Sequence, residues 1–150
     1  MMLNLFSQFL VALATAYISY FLSRKHTDKV AGRQRKLLKI DELTQKIEEV
    51  AKEGTLYHSS AINMDTKHKE IIIQHTISSI SREINSLTSD PSVQINSLPI
   101  RDAMIKFRQK ITGGDFATTS RSPIDIHSPL LSQIIDARDE LISQLKELEC

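Results

Sequence analysis

Twenty consecutive residues near the start of the chain, residues 3–22, carry no charged side chain. A helix of that length rises by roughly 30 Å, about the thickness of the hydrocarbon core of a bilayer. Arg24 and Lys25 follow almost at once. The stretch therefore predicts a single transmembrane anchor at residues 1–23.

A cleaved secretory signal is the alternative interpretation of the same stretch, because Ala12-Leu13-Ala14 matches a small-x-small cleavage pattern. A signal peptide begins with basic residues and becomes polar after the cleavage site. Residues 1–7 contain no Lys or Arg, and the chain continues as Tyr-Ile-Ser-Tyr-Phe-Leu after Ala16. We therefore expect an uncleaved anchor.

The charges next to this stretch predict its orientation. Residues 24–39 carry seven basic side chains and one acidic side chain, a local net charge of +6 in a chain whose total is +1. Cytoplasmic flanks of membrane spans collect Lys and Arg. We therefore expect a single-pass protein of a bacterial inner membrane, with the N-terminus outside and the body cytoplasmic. Its membrane interface is predicted at Tyr17, Tyr20, Arg24 and Lys25. The basic juxtamembrane segment 24–39 is also a predicted contact for anionic lipid.

A regular apolar pattern begins after the basic segment and advances in alternating steps of three and four residues. Its members are Ile40, Leu43, Ile47, Val50, Gly54, Tyr57, Ala61 and Met64. This spacing is typical of a coiled coil or a helical hairpin. Self-association or partner binding is predicted through Ile40, Leu43, Ile47, Val50, Tyr57 and Met64. Gly54 is the weak point of this seam.

A second apolar pattern follows, and it is out of register with the first. It runs through Ile73, Ile77, Ile80, Ile84 and Leu87, and the break lies near residues 63–66. Either one long helix carries a register discontinuity there, or the chain turns back as a hairpin. Residues 40–89 are predicted to form this coiled-coil or hairpin region.

Residues 90–150 form the predicted C-terminal helical region. A short amphipathic helix at 100–111 stops at Gly113-Gly114, because glycine best tolerates a left-handed helix cap. A loop at 113–127 precedes a last helix, in which Ser128 is the cap and Pro129 the first helical residue. The predicted fold is all-α, with one transmembrane helix, a coiled-coil or helical hairpin and short amphipathic helices.

No arrangement of residues in the sequence predicts catalysis. Asp125, His127 and Ser128 are nearly adjacent, so they do not take the separate positions that a catalytic triad needs. The five histidines lack the spacing of a metal motif, and Gly113-Gly114-Asp115 lacks the lysine of a phosphate loop. We predict no catalytic, cofactor-binding or metal-binding residue, and we expect neither a cofactor nor a nucleic acid.

Several segments carry a resemblance to a known group of proteins. They are Ile40-Asp41-Glu42-Leu43-Thr44-Gln45-Lys46-Ile47-Glu48-Glu49-Val50, Phe107-Arg108, Thr112-Gly113-Gly114-Asp115-Phe116 and Ile135-Asp136-Ala137-Arg138-Asp139-Glu140-Leu141. Together with the N-terminal stretch and the basic juncture, they resemble uncharacterised bacterial single-pass, membrane-anchored coiled-coil proteins. The resemblance implies a bacterial inner-membrane protein and supplies no activity or functional residues.

Two functional hypotheses follow, beside a third, a membrane-bound enzyme, which would need a partner to supply the missing site. The first is a non-enzymatic, membrane-tethered helical adaptor or scaffold, whose partners are the lipid bilayer and either a second copy of the chain or another helical protein. The second is a membrane-disrupting effector, such as a spanin-like protein of phage or prophage lysis, which has a similar size and one N-terminal span. The spanin body lies in the periplasm, so the charge bias favours the adaptor.

Overall fold

The fold is seen in a computed structural model that describes residues 2–61, 64–89, 97–118 and 122–148, without the side chains of residues 2–12, Ala14 and Met64. Within these residues the chain forms four helices and no strand. The helices are α1 (Met2–Ser59), α2 (Met64–Thr88), α3 (Leu98–Thr112) and α4 (Pro129–Glu147). The predicted all-α class is confirmed.

The predicted membrane span is not supported. Among the described residues, no helix is long and apolar enough to cross a membrane. The predictions of a transmembrane anchor and of a single-pass location in a membrane are therefore wrong.

The chain divides into two compact units, Met1–Lys39 and Ile40–Cys150, and α1 contributes to both. In the N-terminal unit, every described side chain from Leu13 to Val30 is exposed. In the second unit, the apolar side chains of all four helices share one core. Ile47 of α1, Ile80 of α2 and Phe107 of α3 are completely buried there. Leu141 of α4 is completely buried in the same core.

Residues 40–89 form a hairpin rather than one long helix. The Nζ atom of Lys46 lies 2.8 Å from Oε1 of Glu83, and the hydroxyl of Tyr57 donates a hydrogen bond of 2.7 Å to Glu70. The earlier residue of α1, Lys46, pairs with the later residue of α2, and the later residue of α1, Tyr57, pairs with the earlier one. The two helices therefore run antiparallel. The change of register in the apolar pattern marks the turn of this hairpin.

Gly54 has a packing role that the periodicity does not reveal. A Cβ atom built at this position would lie 3.1 Å from Cγ2 of Ile111, which is completely buried. The missing side chain therefore lets α1 approach α3 closely. The glycine that the sequence marks as a weak point in the seam is where these two helices make close contact.

Helices α3 and α4 also run antiparallel. Lys106 pairs with Glu140 at 2.7 Å, and Lys110 donates to Gln133 at 3.0 Å. The hydrogen bond and the negative charge of Glu140 raise the pKa of Lys106. Both side chains of this ion pair are about half exposed, and surface pairs of this kind contribute little to stability. The apolar contacts therefore hold these helices together.

The connection between α3 and α4 begins and ends as predicted. Gly114 adopts a φ of +63°, which an L-residue with a side chain rarely adopts. At the other end, the Ser128 hydroxyl accepts a hydrogen bond from the Leu130 amide, and Pro129 opens α4. The prediction that Ser128 caps this helix is confirmed.

Candidate functional site

The predicted partner-binding seam lies inside the second unit. Ile40, Leu43, Ile47, Val50 and Tyr57 are at most 3 % exposed and belong to the shared core. The side chain of Met64 lies outside the described residues. Side chains buried to this degree do not reach a partner while the bundle is folded. The apolar face that the sequence offers to a partner is covered by the chain's own helices.

The residues predicted at a membrane interface lie on the surface of the N-terminal unit. Tyr17 is 71 % exposed and Tyr20 is 64 % exposed, and Arg24 and Lys25 are exposed as well. No described helix is long and apolar enough to cross a membrane, and the assignment of these four residues to a membrane interface stays a prediction. They remain as an exposed set of aromatic and basic side chains on one helix.

The C-terminal end of the α1 helix carries a polar cluster that connects it to other elements of the second unit. The Tyr57 hydroxyl donates to Glu70 of α2 at 2.7 Å and accepts from the amide of Ala117 at 3.0 Å. Nε2 of the buried His58 lies 2.8 Å from the carbonyl oxygen of Ile111. A carbonyl oxygen only accepts, so Nε2 carries the proton. Two consecutive residues therefore connect α1 to α2, to α3 and to the following loop.

Aromatic and backbone contacts complete this cluster. The centroid of the Phe116 ring lies 4.9 Å from the centroid of the Tyr57 ring and 6.3 Å from that of the His58 ring. The amide of Ile124 donates to the carbonyl oxygen of His58 at 2.9 Å. The α3–α4 connection is thus hydrogen-bonded to α1 at two points, through Ala117 and through Ile124. We call Tyr57, His58, Glu70 and Phe116 the anchoring cluster.

The sequence gives only part of the signal for this cluster. Tyr57 belongs to the apolar pattern, which predicts that its side chain is buried but not that its hydroxyl forms hydrogen bonds to distant residues. His58 looks like one of five scattered histidines, and Phe116 is an isolated aromatic residue after a glycine pair. Gly114 and Ala117, on either side of Phe116, both adopt a positive φ, and the Phe116 ring lies against Tyr57 of α1. This contact depends on tertiary packing that no local pattern encodes.

Replacing Tyr57 with Phe is expected to lower the free energy of unfolding by about 1 to 3 kcal/mol. The substitution removes a hydrogen bond to a carboxylate and leaves the amide of Ala117 without its acceptor. Urea denaturation measures the loss, and amide hydrogen exchange at Ala117 should become faster. Tyr20→Phe is the matched control, because that ring is exposed in the other unit. Unchanged exchange at Ala117 would contradict the anchoring role.

The residues that superficially suggest a hydrolase have structural roles. The Asp125 carboxylate accepts from the amide of His127 at 2.7 Å, and the Ser128 hydroxyl is the cap of α4. In the part of the chain that the structure describes, no three His, Cys, Asp or Glu side chains are grouped so that they would hold a metal ion.

Comparison with protein-family models, with curated proteins and with solved structures finds no match for this chain. The resemblance to bacterial coiled-coil proteins stays a prediction. Any function must therefore be argued from the surfaces and the packing of the chain itself.

Proposed function

We propose that this protein is a non-enzymatic helical scaffold that self-associates through the apolar part of its N-terminal unit. The observation that carries the proposal is a set of large apolar side chains, each more than half exposed. Its members are Leu13, Tyr17, Ile18, Tyr20, Phe21 and Leu22. We call them the apolar surface. A contiguous exposed surface of this kind marks an interaction site.

The distribution of these residues around α1 supports a helical partner. At 100° per residue, the six side chains occupy more than half of the circumference rather than one narrow stripe. A helix that is apolar around most of its surface is normally covered by other helices. A second copy of the same segment supplies an apolar surface of matching length.

Charge favours an antiparallel pairing of two copies. Residues 24–39 carry a net charge of +6 directly after the apolar surface. A parallel pair would place these two basic segments side by side, where like charges repel. An antiparallel pair centred on Ser19 sends them to opposite ends. Tyr17 and Phe21 are one helical turn apart on the same face of α1, so Tyr17 of one copy then lies near Phe21 of the other.

The core of the second unit takes no part in the proposed self-association. Its apolar seam is already covered, so that unit is expected to keep its fold whether or not the N-terminal segments are paired. Covering the exposed part of each side chain in the apolar surface contributes on the order of 1 kcal/mol. Association itself costs at least about 4 kcal/mol. Pairing is therefore expected to depend on protein concentration.

Replacing Ile18 with Asp is expected to weaken self-association at least about tenfold, because a charge in an apolar contact must be desolvated. Light scattering coupled to size exclusion, over a series of concentrations, measures the effect. Val30→Asp introduces the same charge in the same unit outside the apolar surface, and it should leave the assembly unchanged. A wild-type chain that stays monomeric at every concentration would overturn the proposal.

Orientation is tested separately by disulfide crosslinking in a Cys150→Ser background. A mixture of Tyr17→Cys and Phe21→Cys chains should form the mixed disulfide in preference to either symmetric one. Preferential symmetric disulfides would show a parallel pair and would contradict the charge argument. That result would leave self-association itself standing.

A further inference from the structure

A groove on the second unit lies between α2 and α3. It has a volume of about 280 Å³ and is lined by Gln74, Ile77, Ser78, Arg108 and Thr112. Ile77 is only 2 % exposed and belongs to the core, so it forms an apolar floor. The other four side chains are polar and come from both helices. The groove therefore combines a fixed base with polar walls.

The positive charge in this groove is not neutralised within the described part of the chain. Lys46, Lys106 and Arg138 each pair with a carboxylate there, whereas no described carboxylate pairs with Arg108. Beside the groove, Nε of Arg82 donates to the carbonyl oxygen of Ser78 at 3.4 Å. A second guanidinium thus lies one helical turn from Ser78, outside the lining of the groove.

The charge of α3 differs from that of the rest of its unit. Arg101, Lys106, Arg108 and Lys110 against Asp102 give this helix a net charge of +3. Residues 40–150 together carry twelve basic and seventeen acidic side chains, a net charge of −5. An anion approaching the second unit is therefore attracted to α3 in preference to its surroundings.

The groups that line the groove suit an oxyanion. The guanidinium of Arg108 presents a planar set of donors that matches a carboxylate or a phosphate, and the amide of Gln74 adds two more. Ser78 and Thr112 donate to the carbonyl oxygens of Gln74 at 2.8 Å and of Arg108 at 2.9 Å. The hydroxyl protons of Ser78 and Thr112 are thus already engaged in hydrogen bonds within the helices. The donors that remain for an oxyanion are the Gln74 amide and the Arg108 guanidinium.

We propose that the α2–α3 groove is a binding site for a small oxyanion group, with Arg108 as its principal ligand and Gln74 as the second donor. The group is a carboxylate or a phosphate, carried by a small molecule or by a partner. The site is independent of the self-association proposed above, because it lies on the other unit and uses none of the same residues.

The test is a titration of the full chain with inorganic phosphate and, separately, with succinate, followed by amide NMR. Saturable shifts are expected at the groove residues in at least one titration, and the tighter of the two anions identifies the preferred group. Arg108→Gln should weaken binding at least tenfold. Lys110→Gln is the matched control, because it removes the same charge from the same helix outside the groove. It should weaken binding less than threefold.

Three outcomes would overturn the assignment. Shifts spread over all basic residues without saturation would show general electrostatic attraction. Equal weakening by both variants would show that net charge rather than the groove determines binding. Absence of any saturable shift with both anions would show that the groove binds no oxyanion. Circular dichroism of both variants checks that the helices are retained, as expected for surface side chains.

Discussion

Ile47→Asp is expected to unfold the second unit. Ile47 is completely buried in the core that all four helices share, so the substitution removes apolar contacts and places a carboxylate where no water reaches it. Loss of a large buried aliphatic side chain alone costs about 2 to 5 kcal/mol, and burial of an unpaired polar group adds to that cost. Domains of this size are stable by only about 5 to 15 kcal/mol. Circular dichroism and urea denaturation measure the loss.

The matched control is Ile71→Asp, which makes the same chemical change on α2 at a side chain that is 66 % exposed. It should shift the free energy of unfolding by less than about 1 kcal/mol. The comparison also tests the sequence-based assignment of Ile47 to a partner-binding seam. If Ile47→Asp leaves the helices folded and only abolishes self-association, the seam faces a partner and the core described above is wrong.

Phe107→Ala is expected to be the next most damaging change, with a loss of about 3 to 5 kcal/mol. The ring is completely buried and belongs to α3, which contacts both α2 and α4. Removing it leaves a cavity that the surrounding Ile and Leu side chains only partly fill. A lower urea midpoint without a change in the slope of the transition would show loss of stability rather than loss of compactness.

The control for this change is Ile105→Ala, two residues earlier on the same helix and 53 % exposed. It should lie within about 0.5 kcal/mol of the parent chain. Similar losses for the two variants would mean that the helix face at Phe107 is not the one that packs into the core.

Helix positions were largely predictable from the sequence, because burial on one face of a helix requires a periodicity that the residues themselves display. Ile73, Ile77 and Ile80 recur at such intervals and are all buried. The end of α3 and the start of α4 were predictable for a local reason as well, since Gly114 and Ser128 have conformational preferences of their own. These features depend on residues close together in the chain.

The candidate sites were less predictable. The hydroxyl of Tyr57 reaches Glu70 and Ala117, thirteen and sixty residues away. The groove joins Gln74 to Arg108. Nothing in the local sequence around any of these residues indicates its distant partner. The transmembrane prediction was based on the absence of charge over a stretch of residues, and no described helix is long and apolar enough to cross a membrane.

The sequence by itself determined that this protein is built from helices, where α3 and α4 are joined, and that its charge is divided between a basic segment and an acidic remainder. Those properties follow from periodicity, cap residues and composition. Only the tertiary structure decided that residues 40–89 fold back as a hairpin and that the apolar seam is covered from within. It also showed that Gly54 allows α3 to approach α1 closely and that Arg108 lines a groove. The physical reason is that an apolar helix face must be buried, but its residues do not indicate what buries it. Only the packing of the whole chain decides whether the chain's own helices or a partner cover that face.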